Sequence, residues 1–339
     1  MNAIILHGKQ DISLGEFPTP ELYAGAVRVK VAYCGICGSD MHKFAGKANT
    51  HPIKYPVPLG HEISGIVDAV ADDVTEFKVG DRVTVDPNWS CGKCKYCKEG
   101  MPSFCEHARG VVKGMAEYVV SPVENVYKLP DSLSLRAAAL AEPLACCLHG
   151  IDLLGIRQGE TVALVGYGAI GEIMLALIKN AGAGKIIVVE PNESKRARAL
   201  EKGATLFVNP TVPAEVEALS EYNITRVLEC VGNRAAQHTS LKIAGKGATV
   251  VLFGVSDAAE TLDISVYDAF TKELTIKTSF VNPHTTARAV ELLASGALDT
   301  TDLIHCDMSM EEALSEIRNP VHTKSGKVLV RINTDIIEK

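Results

Sequence analysis

Thr161-Val162-Ala163-Leu164-Val165-Gly166-Tyr167-Gly168-Ala169-Ile170-Gly171 is an apolar run that breaks into a G-x-G-x-x-G turn and continues into a segment rich in Ala, Leu and Ile. This order predicts a buried strand, a tight turn and the start of a helix. Glycines in such a turn let a pyrophosphate approach the backbone at the helix N-terminus and let helix and strand pack closely. Glu190 closes the next apolar run, where a carboxylate can bind both hydroxyls of an adenosine ribose and repel a 2′-phosphate. The stretch therefore predicts NAD as cofactor, with Gly166, Gly168, Ala169, Ile170, Gly171, Glu190 and Lys195 around it. Lys195 and Arg196 are nearby cations that could still tolerate a phosphate.

Working outward, strand and helix patterns alternate from Thr161 to Thr278. The predicted strands are Thr161–Val165, Lys185–Val189, Thr205–Val208, Arg226–Cys230, Ala248–Phe253 and Leu274–Thr278. Helical patterns at Ala169–Ala181, Glu193–Lys202, Ala214–Glu221 and Arg234–Ile243 lie between them, which predicts a doubly wound parallel sheet of the Rossmann type. The first 130 residues read differently, as short strands between turns. Val27, Val29 and Val31 alternate on one face, and Ile63–Val67, Arg82–Val85 and Glu117–Val120 are further β-rich runs. A single helix is expected from Ser134 to His149. Two amphipathic helices, Thr285–Ala294 and Met310–Ile317, and a strand, Lys327–Ile332, follow Pro283 and do not extend the alternation. The expected organisation is α/β, with a β-rich domain of residues 1–143 and 281–339 around an inserted Rossmann domain of residues 144–280.

A chain of 339 residues fits roughly two domains at about 150 residues each. With 47% hydrophobic and 22% charged residues, it excludes disordered, collagenous and coiled-coil classes. The net charge of −7 argues against nucleic acid or an anionic membrane as partner and leaves small molecules. No basic leader or cleavage-like pattern is read in residues 1–11, and no apolar stretch is long enough to span a bilayer, so a cytoplasmic protein is expected. Ten cysteines in a reducing compartment then point to metal or redox chemistry rather than disulfides.

Cys91-x2-Cys94-x2-Cys97-x7-Cys105 places four thiolates in one lysine-rich loop. Four sulfurs satisfy a tetrahedral zinc and leave no open position, so the pattern reads as structural zinc. An iron–sulfur cluster is the rival, disfavoured by the last spacing and by the absence of a proline after Cys105. A second constellation is dispersed: Cys37 in Cys34-Gly-Ile-Cys37-Gly-Ser39-Asp40, the pair His61-Glu62, and Glu142 in Ala141-Glu142-Pro143. Mixed sulfur, nitrogen and oxygen donors suit a catalytic zinc that keeps a place for substrate.

Gly60-His61-Glu62-x2-Gly65-x5-Ala71-x2-Val74, the four-cysteine loop and Gly166–Gly171, in that order, resemble the zinc-containing medium-chain alcohol dehydrogenases over essentially the whole chain. Glu142-Pro143-Leu144 is similar to the branch acting on sorbitol, butanediol and galactitol phosphate. The resemblance implies a GroES-like catalytic domain beside the Rossmann domain, two zinc ions per chain, NAD, and a tetramer or dimer. It implies Cys37 and His61 as zinc ligands, Glu62 as a direct or intermittent ligand, and Glu142 as binding zinc directly or through the water it exchanges with. Ser39 would take the alcohol proton, His42 would pass it to solvent, and Gly254, Val255, Phe280 and Val281 would lie at the cofactor. The implied activity is oxidation of a secondary hydroxyl of a polyol, sugar alcohol or vicinal diol. A threonine-type amino-alcohol dehydrogenase and a non-catalytic relative are the alternatives.

Two departures bear on substrate. Val281 stands where animal sorbitol dehydrogenases carry an Arg, and Lys43 stands where an aromatic often follows the relay His. The stretch His42–Tyr55 holds Lys43, Lys47, Lys54 and His51 with no acid between Met41 and Tyr55. It is either a solvated basic loop or one that faces an anionic polyol such as a sugar-alcohol phosphate. Asp40 is expected either to orient a zinc ligand or simply to bond within its loop. Cys34, Cys146, Cys147, Cys230 and Cys306 read as small buried hydrophobes, and His305 and His322 show no ligand spacing.

Overall fold

A computed structural model of the chain describes residues 1–47 and 53–337, and His51 lies outside them. The chain divides into two compact units, Met1–Ala145 with Asn282–Lys339, and Cys146–Val281. Among the described residues no helix is long and apolar enough to cross a membrane.

In the first unit the centre is the ten-residue strand Ala26–Gly35. Val27, Val29 and Val31 are fully buried while Arg28 and Lys30 between them are half-buried, the period-two pattern of a strand with one face in the core. It pairs antiparallel with Glu62–Val70, Tyr118–Pro122 and Lys327–Arg331. The registers are decisive for the site: Gly35 lies opposite Glu62 on one side and opposite Leu329 on the other. Three segments far apart in sequence are thereby brought to the end of one strand.

The returning segment is tied in by polar groups as well. Asp86 Oδ2 accepts from Asn282 Nδ2 at 3.0 Å and from Thr286 Oγ1 at 2.7 Å, and Asn282 Oδ1 accepts from Asn88 Nδ2 at 2.6 Å. Burial pushes the Asp86 carboxyl up, against the donors that hold its charge.

The second unit is a six-stranded sheet with every pair parallel. Its spatial order is Leu206–Val208, Lys185–Val189, Thr161–Val165, Ile224–Glu229, Thr249–Leu252, Thr275–Thr278. This is the doubly wound arrangement expected, with the G-x-G-x-x-G strand next to the point where strand order reverses. Val162, Ala163, Leu164 and Val165 are all buried, as they must be when helices cover both faces. Each large one contributes about 1.5–3 kcal/mol.

The single helix expected at Ser134–His149 is instead two, Leu135–Ala138 and Ala141–Leu154. Pro143 is the reason, since it has no amide to bond the carbonyl four residues back and is tolerated only in a first turn. The helix restarts at Ala141 and so places Glu142 in its opening turn. Other elements escaped the sequence patterns. Asn2–Gly8 pairs with Asp11–Glu16 as a hairpin, Val266–Lys272 is an exposed helix, and Ile304–Met308 is a strand parallel to Lys327–Arg331. The last of these shows His305, Cys306 and Asp307 between its buried ends, which hides any apolar run.

Candidate active site

Cys37 precedes the short helix Gly38–Phe44, immediately beyond the central strand. Glu62 begins the neighbouring strand with His61 just before it, and the antiparallel register opposite Gly35 carries them to the same place. One ligand atom from each of Cys37, His61 and Glu62 lies within 4.8 Å of the others. A thiol, an imidazole and a carboxylate gathered this closely fit a zinc ion and leave it short of four protein donors. Glu142 lies outside that set. Its buried carboxyl is pushed up to about 7 by burial; His61 and Lys327 counter the rise and Glu62 adds to it.

Asp40 organises the cluster from beneath. It is fully buried; its Oδ2 accepts from Cys37 N at 3.1 Å, its Oδ1 from Gly60 N at 3.1 Å, and His61 Nδ1 is 3.8 Å from Oδ1. Burial opposes its charge, yet the His61 ring, Lys43 and the Cys37 amide hold its carboxyl well below the usual carboxylate range. His61 is shifted the other way. Burial disfavours its cation, but the Cys37 sulfur and Asp40 outweigh that and raise its pKa. At 3.8 Å the His61 ring nitrogen has no hydrogen-bond partner among the described residues, so Asp40 acts on the ring by charge alone, and its hydrogen bonds go to the Cys37 and Gly60 amides.

Sequence reasoning missed Lys327. This residue is 3% exposed, its Nζ donates to Ile36 O at 3.1 Å, and it forms an ion pair with the buried carboxylate of Glu62. A buried ammonium is tolerated only where it is paired and hydrogen-bonded. Burial acts against its proton, and the Glu62 and Cys37 charges more than restore it, so its pKa is raised. Gly35 completes the packing, because a Cβ there would run into Glu62 Oε2. No spacing rule links positions 62 and 327; only the register of two strands against Gly35 does.

Ser39 and His42 occupy the Gly38–Phe44 helix three residues apart, a spacing that shares one face. Ser39 Oγ, two residues after Cys37, is buried without a hydrogen-bond partner among the described residues, a hydroxyl left with free capacity. Lys43 Nζ sits 3.8 Å from Asp40 Oδ1, so its charge is engaged with the scaffold.

The four-cysteine loop closes on itself. Its sulfurs lie within 4.8 Å of one another and none is in a disulfide. Backbone amides aim at them: Cys94 N donates to Cys91 Sγ, Cys91 N and His107 N to Cys105 Sγ, each at 3.3 Å. Amides of Cys97 and Glu106 bring Cys94 down to about 6, while burial and the neighbouring Cys94 and Cys105 push Cys97 up to about 11. Four thiolates this close need a cation to ionise together, and a zinc ion held by all four would supply it.

In the second unit the predicted cofactor residues gather at the C-terminal ends of parallel strands. Gly166 has φ +95°, and a Cβ at Gly171 would meet the Gly166 carbonyl, so the turn can be closed here only by glycine. A Cβ on Gly168 would meet nothing within 4 Å, which leaves space at the uncapped start of Ala169–Asn180 for an anionic group. Glu190 accepts from Tyr167 N at 2.9 Å and Asn192 N at 3.0 Å, and Lys195 Nζ donates to Tyr167 O at 2.8 Å. Gly254 and Val255 follow Thr249–Leu252, and Phe280 and Val281 follow Thr275–Thr278. Glu229 was not foreseen. Buried at a strand end, it accepts from Val231 N at 2.6 Å and Gly232 N at 2.7 Å and shapes the backbone against which Gly254 packs.

Comparison with known proteins places these arrangements in a family. Residues 23–131 match the alcohol dehydrogenase GroES-like domain and residues 169–295 the zinc-binding dehydrogenase domain. The chain is 30% identical to sorbitol dehydrogenase of Bacillus subtilis, over 98% of each chain, and 31% identical to D-arabitol-phosphate dehydrogenase of Enterococcus avium, over 97% of this chain and 96% of the other. A provisionally named zinc-binding dehydrogenase from Sinorhizobium meliloti, bound to NADP, superposes with TM-score 0.91 at 37% identity, covering 97% of this chain and 98% of that one. The chain therefore belongs to the zinc-binding alcohol dehydrogenase family and is an enzyme of its polyol dehydrogenase branch.

Proposed function

We propose that this enzyme oxidises a secondary hydroxyl of a polyol, sugar alcohol or vicinal diol to the ketone, with zinc and NAD. The observation that carries the reading is the open donor set Cys37, His61 and Glu62, with the buried Ser39 hydroxyl, unpartnered among the described residues, two residues after Cys37. The family resemblance and the polyol dehydrogenases among the relatives support it over the amino-alcohol and non-catalytic alternatives.

The bound groups bring Lewis acidity at the substrate hydroxyl, from zinc, and hydride acceptance, from the nicotinamide. This chain's residues do the rest. Cys37 and His61 would hold the metal, Asp40 holds the Cys37 amide and places its charge 3.8 Å from the His61 ring, and Lys327 pairs with Glu62. Ser39 Oγ accepts the hydroxyl proton and His42 carries it to solvent. Glu142, buried and easily protonated, is an exchangeable donor.

NAD rather than NADP follows from Glu190 and from the state of the nearby cations. Lys195 is engaged by Tyr167 O and Glu190, and Arg196 by Glu193 at 2.8 Å. The NADP-bound relative makes this choice worth testing directly. A homo-oligomer, dimer or tetramer, is supported by the edge strand Thr275–Thr278 and the exposed Val266, Tyr267 and Phe270 beside it in sequence. Ten free cysteines support a reducing, cytoplasmic setting.

The test is a panel of diols, pentitols, hexitols, their phosphates and threonine with NAD and with NADP, read by nicotinamide absorbance. Reduction of NAD with polyols or diols is expected. Turnover confined to threonine, or none with about two zinc per chain present, overturns the reading.

A further inference from the structure

Outside these sites, two imidazoles and a thiol converge. His305 and Cys306 lie on Ile304–Met308, and His322 opens the single turn His322–Lys324 that leads to Lys327–Arg331. Their donor atoms fall within 4.8 Å of one another, and the two rings stand 5.9 Å apart between centroids. Among the described residues no hydrogen bond or ion pair engages these three side chains. The site is open to solvent, with both histidines exposed and Cys306 half-buried rather than fully buried as its composition class suggested.

Neighbouring strand residues normally point to opposite faces, so His305 and Cys306 should be separated. The pairing register prevents this. Ile304 lies opposite Lys327 and Cys306 opposite Val328, which leaves His305 as the extra residue of a bulge. Bulges redirect side chains in this way and recur beside functional sites.

The turn carrying His322 is also fixed from within. Glu316 is buried, and its Oε1 accepts from Val321 N at 2.8 Å, Thr323 N at 2.9 Å and Thr323 Oγ1 at 2.9 Å. The third donor is thus held in place before any ligand arrives, which lowers the ordering cost of binding. Local charge favours a cation: besides burial, the Asp307, Glu316 and Glu312 carboxylates push the Cys306 thiol up.

We propose that His305, Cys306 and His322 form a further metal site, for a zinc-class transition-metal cation, with its fourth position open to solvent. Two imidazoles and one thiolate are borderline-soft donors suited to Zn²⁺ and unsuited to Mg²⁺ or Ca²⁺. On binding, the Cys306 thiol gives its proton to solvent and its sulfur pair to the metal.

The test uses the full-length enzyme with its resident zinc, dialysed against buffered free Zn²⁺, beside the His305→Ala/His322→Ala double variant. Wild type is expected to hold about one zinc per chain more than the variant. Zn²⁺ at roughly ten times its Kd should also slow iodoacetamide labelling of Cys306, mapped by peptide mass spectrometry, about tenfold in wild type and not in the variant. Cys306→Ser repeats the metal count if the double variant fails to fold. Equal zinc content in wild type and folded variant, with labelling unmoved by Zn²⁺, overturns the proposal.

Discussion

The ammonium of Lys327 is ion-paired with the carboxylate of Glu62, 265 residues away in sequence, and both groups are buried beside the proposed zinc ligands. The pair joins the last strand of the first unit to the strand that begins at Glu62, so the donor cluster and the returning segment share one electrostatic joint. Lys327→Met leaves the buried Glu62 carboxyl without its partner, and stability should fall by about 3–5 kcal/mol in urea unfolding. Glu62→Gln added to Lys327→Met should recover part of the loss, because the two positions couple. An additive loss would show that the joint is not energetically real.

Ser39→Ala removes the buried hydroxyl that has no hydrogen-bond partner among the described residues. The kcat for polyol oxidation should drop by about 10²-fold or more, with KM and zinc content nearly unchanged. A drop in KM-controlled affinity alone would assign Ser39 to substrate binding instead of proton transfer.

Cys94→Ser removes the thiol whose ionisation the loop amides favour most strongly. Zinc content should fall from about two to about one per chain, and proteolysis should then cut between residues 91 and 105. Unchanged metal content would contradict the closed four-sulfur site.

Glu190→Ser removes the carboxylate opposed to a 2′-phosphate and also its bonds to the Tyr167 and Asn192 amides. The kcat/KM ratio of NADP to NAD should rise about tenfold or more, with the NAD value itself reduced. A ratio that stays put would move cofactor choice to other residues.

Glu316 provides a pH signature. Burial alone would raise its carboxyl, but the Thr323 and Val321 donors outweigh burial and hold it below the usual range. A depressed carboxylate stabilises the fold above the ordinary Glu value of about 4.3, and that stabilisation fades as pH falls through and below it. Glu316→Gln should therefore cost about 1.5–3 kcal/mol at neutral pH and progressively less in acid, followed by Tm against pH. A constant difference across the range would show that the charge contributes nothing.

Contiguous signals were the legible ones. Gly166 to Gly171 and Cys91 to Cys105 each carry their chemistry within a loop, so spacing states the geometry, and the alternating strands and helices from Thr161 to Thr278 give the sheet its doubly wound order. Pro143 is visible too, yet apolar periodicity continues across the break between Leu135–Ala138 and Ala141–Leu154 and masks it.

Sequence by itself determined the fold class, the nucleotide turn and the donor types near Cys37, His61 and Glu62, since these depend on local backbone preference and short-range order. Tertiary structure alone decided that Lys327 faces Glu62, that Asp40 bonds both the Cys37 and the Gly60 amides, that Glu142 stands outside the tight donor set, and that a bulge at His305 brings His305 and Cys306 to His322. Each of these is a matter of strand register and chain crossing, where a shift of one residue reverses a side chain, and no local propensity records it.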